Sequence, residues 1–253
     1  MKSLQALHLQ LSYRTGRDDM VRDFFVPCLE NSVLYRRAAG YFSSSGLALA
    51  ARGVASLASR GGKMKLVVSP HLQPDDVDAL HAATDNPADA IRSIAAKSLA
   101  DIEDALVKDR LNALAWLAAA GLLEIKLALR LDQKGNYTRG IFHEKAGIFT
   151  DGAGSHVAFS GSSNETAGGL VENFESIKAF CSWKDAEGRV QEEVDNFEAL
   201  WNNSTPGLRV MEFSRAGRDL LERYRDPEQP PPGLPKHRAE EPVPASEFRP
   251  LCA

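Results

Sequence analysis

Three short segments near the amino terminus restrict the fold more than any other part of the chain. Residues 33–42 (VLYRRAAGYF) are rich in aromatic and β-branched residues and read as a strand. Ser43 to Ser45 then offer N-cap hydroxyls to a helix through Leu47, Leu49, Val54 and Leu57, stopped by Gly61-Gly62. Residues 64–69 (MKLVVS) form a brief apolar run closed by Pro70, the mark of a buried strand. Strand, helix, strand at this spacing predicts two parallel strands joined by a right-handed crossover.

The same alternation continues. Residues 86–121 are Ala- and Leu-rich, and Leu99, Ile102 and Leu106 repeat at helical spacing up to Gly121. Residues 124–131 (EIKLALRL) alternate polar and apolar, as a half-buried strand does. Residues 141–149 and 156–160 read as two strands joined by an Asp151-Gly152-Ala153-Gly154 turn. A helix opens at Asn164, a strand spans Phe174 to Trp183, and a helix follows with Val190, Val194, Phe197 and Trp201 on one face. Residues 208–213 (LRVMEF) close the set as a last strand. The expectation is one α/β domain over residues 1–225 with a mixed sheet flanked by helices. Eight of the thirteen prolines fall in residues 226–253, among charges and few apolar residues, so that stretch reads as a linker or disordered tail. No internal repeat is visible.

Composition excludes several classes. The chain is 43% hydrophobic and 25% charged, ordinary for a soluble protein. No run of eighteen apolar residues and no signal-like start is present, which points to a cytoplasmic protein without a membrane partner. Cys28, Cys181 and Cys252 are too few and too scattered for a disulfide framework or a zinc site, and are expected as reduced thiols. The net charge of −4 is not that of a generally basic nucleic-acid binder. Residues 1–65, however, carry ten Lys/Arg against four Asp/Glu. A patch built from Arg14, Arg17, Arg22, Arg36 and Arg37 is one expectation, and a solvated, balanced surface is the other.

Chemistry concentrates between His143 and Glu175. On a strand, His143 and Lys145 share a face while Glu144 takes the other, and Gly147, Phe149 and Asp151 continue the first face. Pairing through the hairpin brings Ser162 and Asn164 beside His143 and Lys145. An imidazole, an ammonium, a hydroxyl and a carboxamide then converge. Ammonium and amide suit the non-bridging oxygens of a phosphodiester, and imidazole can attack phosphorus. The helix opening at Asn164 offers amides to an anion. Glu175 can accept from the second imidazole nitrogen and hold its tautomer. Asp151 has two readings, a site residue or a cap of its own Asp-Gly turn.

His143-Glu144-Lys145, then Gly161-Ser162-Ser163-Asn164, then Asn173-Phe174-Glu175 resemble the HxK, GSxN and downstream glutamate of the phospholipase D superfamily. Beyond these motifs, SYRTGRDDMVRDFFVPCL, RRAAGYFSSSGLALAARGV and LVVSPHL resemble the phospholipase D-like module that often precedes a superfamily 2 helicase in bacterial restriction and defence proteins. The resemblance covers roughly residues 10–215. It implies a phospholipase D-like sheet and a metal-independent nuclease needing no cofactor. His143 would be the nucleophile, Lys145, Ser162 and Asn164 the phosphate grip, and Glu175 the residue orienting His143. DNA is implied more than RNA. The superfamily's aspartate position, five residues after the lysine, holds Thr150 here, with Asp151 one further on.

The superfamily uses two HxK elements, and this chain has one. None of His8, His71, His81, His156 or His237 has a lysine two residues on. The single repeat therefore predicts a homodimer with one composite site on its two-fold axis. No Walker A sequence is present, so a helicase would have to be a partner in cis or in trans. Gly152-Ala153-Gly154 lacks the third glycine of a dinucleotide loop, and His143-Glu144 has no second histidine four residues on for zinc. Tyr41 and Phe42 suit core packing better than base stacking, and Ser69-Pro70-His71 reads as a strand end. The alternative function is a nucleic-acid-binding or dimerisation module that delivers a helicase without cutting.

Overall fold

The computed structural model describes residues 3–40, 56–69, 116, 118–138, 140–162 and 175–212. They form a mixed eight-stranded sheet whose spatial order is β1-β7-β6-β5-β2-β3-β4-β8. The strands are β1 (Ser12–Arg14), β2 (Leu34–Ala39), β3 (Lys63–Val68), β4 (Leu123–Arg130), β5 (Lys145–Thr150), β6 (His156–Gly161), β7 (Ser176–Cys181) and β8 (Leu208–Glu212). Strands β2, β3 and β4 are mutually parallel, as the strand–helix–strand pattern requires. The remaining ladders are antiparallel. The α/β class and mixed sheet are those expected from the alternation.

Strands β2 to β6 bury residues on both faces, so the sheet has a core on either side. One side carries Tyr35, Phe149, Phe159, Leu66 and Ile125. A π-helical turn (Val21–Phe25) running into α1 (Val26–Glu30) covers it with Phe24, Phe25 and Cys28. Phe24 meets Phe159 edge to face at 5.4 Å, and Tyr35 stacks on Phe149 at 4.5 Å. Helix α2 (Arg189–Trp201) covers the other side, over Ala38, Val67, Ala128, Ile148 and Ala158. Its buried residues Val190, Phe197, Leu200 and Trp201 sit at helical spacing, so one stripe of the helix reaches the sheet. Truncating Phe197 or Trp201 to alanine should cost roughly 3–5 kcal/mol, the usual price of a large aromatic cavity.

Three expectations change. The basic patch does not form around β2, because Arg36 and Arg37 alternate to opposite faces and are only 4% and 1% exposed. Arg36 pairs with Glu198 at 3.0 Å, and Arg37 lies 5.1 Å from the Phe159 ring. Exposed Arg17 and Arg22 pair with neighbouring Asp18 and Asp23. The second change is the start of β5. Residues 141–144 precede the ladder, which begins at Lys145, where Ala39 supplies its partner. The third is β1, a short edge strand against β7 that its three residues were too few to announce. Cys28 and Cys181 are free thiols. Most of the helix expected after Ser43, most of that in residues 86–121, Tyr41, Phe42, Asn164, Cys252 and residues 226–253 lie outside the described residues.

Candidate active site

Because β5 runs antiparallel to β2, the carboxyl ends of β2, β3 and β6 and the amino ends of β5 and β7 share one edge of the sheet. In open α/β sheets that edge is where ligands are usually met. His143, Lys145, Ser162 and Glu175 all lie on it.

His143 sits two residues before the ladder. Phe142 on one side of it is buried in the α2-side core and anchors the segment. Gly40, just past β2, makes room for the imidazole. A Cβ there would fall 2.7 Å from His143 Cδ2 and 3.1 Å from its Cα, closer than ordinary contact. The exposed His143 ring meets Lys145, whose Nζ lies 2.8 Å from Nε2 and 3.4 Å from Nδ1. Contact with both ring nitrogens sets the ammonium against the imidazole as a whole, and either nitrogen can carry the ring proton. Partial burial pulls the Lys145 ammonium below its ordinary pKa; Glu175 opposes that shift and Arg37 reinforces it. Lys145 is flanked in register by Ala39 on β2. On β6, the Ala146–Ser160 pairing puts Gly161 opposite it. Small neighbours on both sides leave the ammonium space to move.

Ser162 reaches the same edge through that register. Its Oγ donates to Glu175 Oε2 at 2.7 Å and accepts from Ser176 N at 3.1 Å. Glu175 is 6% exposed, and its backbone is tied to Thr15 through Thr15 N to Glu175 O at 3.0 Å and Glu175 N to Thr15 Oγ1 at 3.1 Å. The carboxylate is therefore held by β6 and by the end of β1 together. Four of the six residues singled out from the sequence share the edge. Asn164 lies outside the described residues.

Asp151 stands at the opposite end of β5, roughly 20 Å from Lys145 at the strand rise of about 3.3 Å per residue. It is 2% exposed. Its Oδ1 accepts from Ala153 N and Ser155 N, each at 2.9 Å, and its Oδ2 from Leu4 N at 3.0 Å and Ser3 Oγ at 3.1 Å. Burial pushes the carboxyl up, but the amides of Ser155, Leu4 and Ala153 outweigh it and hold the group below its ordinary range. Of its two readings, this geometry favours the turn cap. Sequence reasoning missed Gly40; the only available signal was a glycine at a strand end, which has many commoner causes.

No family model matches the chain, and no curated protein does. Solved structures do. NucT from Helicobacter pylori is 15% identical over 79% of this chain and 98% of that one, with a TM-score of 0.44. Nuc from Salmonella typhimurium, a phospholipase D family member, is 13% identical over 79% and 97%, also at 0.44. A polyphosphate kinase from Porphyromonas gingivalis is 9% identical over 85% of this chain and 28% of that one, at 0.46.

Proposed function

We propose that this chain is a metal-independent phosphodiesterase of phospholipase D type that cuts DNA at a site shared by two copies. The observation that carries the reading is the 2.8 Å contact between Lys145 Nζ and His143 Nε2 at the carboxyl edge of the sheet. It pairs an imidazole with a cation in an exposed place, next to a carboxylate and a hydroxyl already bound to each other.

An incoming phosphodiester draws Lys145 from the imidazole onto a non-bridging oxygen, which clears the ring for attack. A ring nitrogen of His143 then attacks phosphorus, and the bond to the leaving oxygen breaks as that oxygen takes a proton from the partner's His143, which enters the cycle as the imidazolium. The partner's His143, now neutral, removes a proton from water while the water oxygen bonds phosphorus and the N–P bond breaks. Both histidines return to their starting states. Lys145 supplies the positive charge that a metal supplies in other phosphodiesterases. Ser162 and Glu175 brace this edge, and Asn164 joins the phosphate grip on the strength of its GSxN motif. The resemblance to defence modules supports a cytoplasmic role in restriction or anti-phage defence, beside a superfamily 2 helicase in cis or in trans.

Plasmid and single-stranded DNA in EDTA, with wild type and His143→Ala at matched concentration, test the reading. Cutting by wild type alone is expected, with a dimeric mass by light scattering. No cutting by wild type while DNA is still bound would replace it with a binding module that delivers a helicase.

A further inference from the structure

The face of the sheet that carries Lys145 is otherwise apolar across its central strands, with one exception. Among the residues that β2, β3, β5 and β6 turn to that face, Arg37 is the other charged one. It stands opposite Gly147, and Lys145 stands opposite Ala39. The two are therefore diagonal neighbours on adjacent strands, with Cα atoms about 7–8 Å apart. Lys145 opens β5 at the edge, and Arg37 lies one row further in, at 1% exposure. Its guanidinium carbon is 5.1 Å from the centroid of the Phe159 ring. Gly147 makes that arrangement possible. A Cβ there would fall 2.5 Å from Phe159 Cε1 and Cζ, so the ring fills the place of the missing side chain and forms a platform for the guanidinium.

An apolar layer penalises a buried charge, and a guanidinium, unlike an ammonium, keeps its proton there. The edge thus holds a fixed cation inside and an ammonium on a flexible stem in front of it. Repulsion between them acts from the interior toward the edge. It adds to burial in depressing the Lys145 ammonium, while Glu175 opposes both. Resting on the phosphodiesterase reading, we infer that Arg37 is a positioning residue of the site, whose fixed charge turns the Lys145 ammonium outward, against the imidazole and toward an arriving phosphate. Being buried, it acts through Lys145 and not on the substrate. Attack adds negative charge to the phosphoryl oxygens, so an outward ammonium backed by a second cation favours the transition state over the bound diester.

The test follows turnover of bis(p-nitrophenyl) phosphate across pH for wild type, R37Q, R37M and R37K. The NMR titration of the Lys145 ε-methylene, assigned with K145R, is recorded alongside. Gln keeps hydrogen bonding and Met keeps bulk, which gives two routes to a folded neutral variant. Either should lose about tenfold in kcat with KM within about twofold of wild type. Removing a like charge favours the protonated amine, so the Lys145 titration and the alkaline limb of the rate should both move to higher pH. R37K keeps a cation on the acid side of the profile and should recover most of kcat there. A folded neutral variant with wild-type kcat and an unmoved Lys145 titration overturns the inference. So does a loss of kcat with the titration unmoved, which would make Arg37 a packing residue only. If neither neutral variant folds, R37K decides, and a tenfold loss across its whole profile while folded overturns the inference. If wild type turns over neither DNA nor the diester, the phosphodiesterase reading fails, and the Lys145 titration still decides whether Arg37 governs the ammonium.

Discussion

The two ends of β5 carry two polar clusters, and they are built on opposite terms. At the Asp151 end every carboxylate oxygen is met: four donors converge on it from two segments far apart in sequence. Beside it, Thr150 Oγ1 lies 2.9 Å from His156 Nδ1 and accepts from Arg36 Nη2 at 3.0 Å, and Arg36 in turn holds Glu198. At the Lys145 end, His143 is exposed and its short contact is to an ammonium that has room to leave. A buried polar group whose partners are complete has nothing left to give a ligand, and breaking it costs stability. An exposed pair in contact at the surface costs little to rearrange. The difference separates a residue that holds the fold from one that meets substrate, even though His143 and Asp151 sit on one strand and its approach.

The sharpest way to break the comparison is His143→Ala. Turnover is expected to fall by at least about 10³-fold, since the nucleophile itself is removed, while Tm stays within a degree or two. A large loss of Tm would place His143 among the structural residues. Gly40→Ala comes next. Its Cβ must push the imidazole aside, and a displacement of about 1 Å costs on the order of 10²-fold in rate. The loss should appear in kcat more than KM, with the His143 ring signals shifted in NMR; unchanged signals would remove Gly40 from the site.

Asp151→Ala should show the opposite profile. Leaving the buried amides of Leu4, Ala153 and Ser155 without an acceptor is expected to cost about 2–3 kcal/mol by urea unfolding. Activity per folded molecule should not change. The carboxyl is held below its ordinary pKa, so its stabilisation is present above about pH 4 and fades as pH falls further. That acid-side loss should be smaller in the variant. His156 gives the smallest effect. Burial, then the Arg36 charge, depress its pKa, with Asp151 opposing. The unfolded chain thus takes up the proton first, and stability should fall as pH drops below about 6.5. Thermal melts at pH 7.5 and 5.5 should show a smaller drop in His156→Gln than in wild type. An equal drop would assign the pH dependence to other groups.

Much of this was legible from local pattern. Parallel pairing of β2 with β3 followed from a strand, a helix and a strand in sequence, because a crossover of that length leaves few alternatives. The β5–β6 hairpin followed from Asp151-Gly152-Ala153-Gly154, and the pairing through it carries the chain past β6 to the edge where β5 begins. The HxK spacing itself put His143 and Lys145 side by side. Local covalent geometry decides all three, so a single sequence is enough.

What the sequence left open depended on partners distant along the chain. Arg36 and Arg37 looked like one basic patch, yet pleating sent them to opposite faces, and Glu198, 162 residues away, took one of them. Asp151 had two defensible roles until Ser3 and Leu4, nearly 150 residues upstream, arrived to occupy it. Gly40 meant nothing until His143 was folded against it. A sequence by itself determines which groups are available and which local shapes they favour. Whether a charge is spent inside the fold or left for a ligand is decided by burial and by the partner the tertiary structure brings, because desolvation penalises an unmet charge far more than any local preference can.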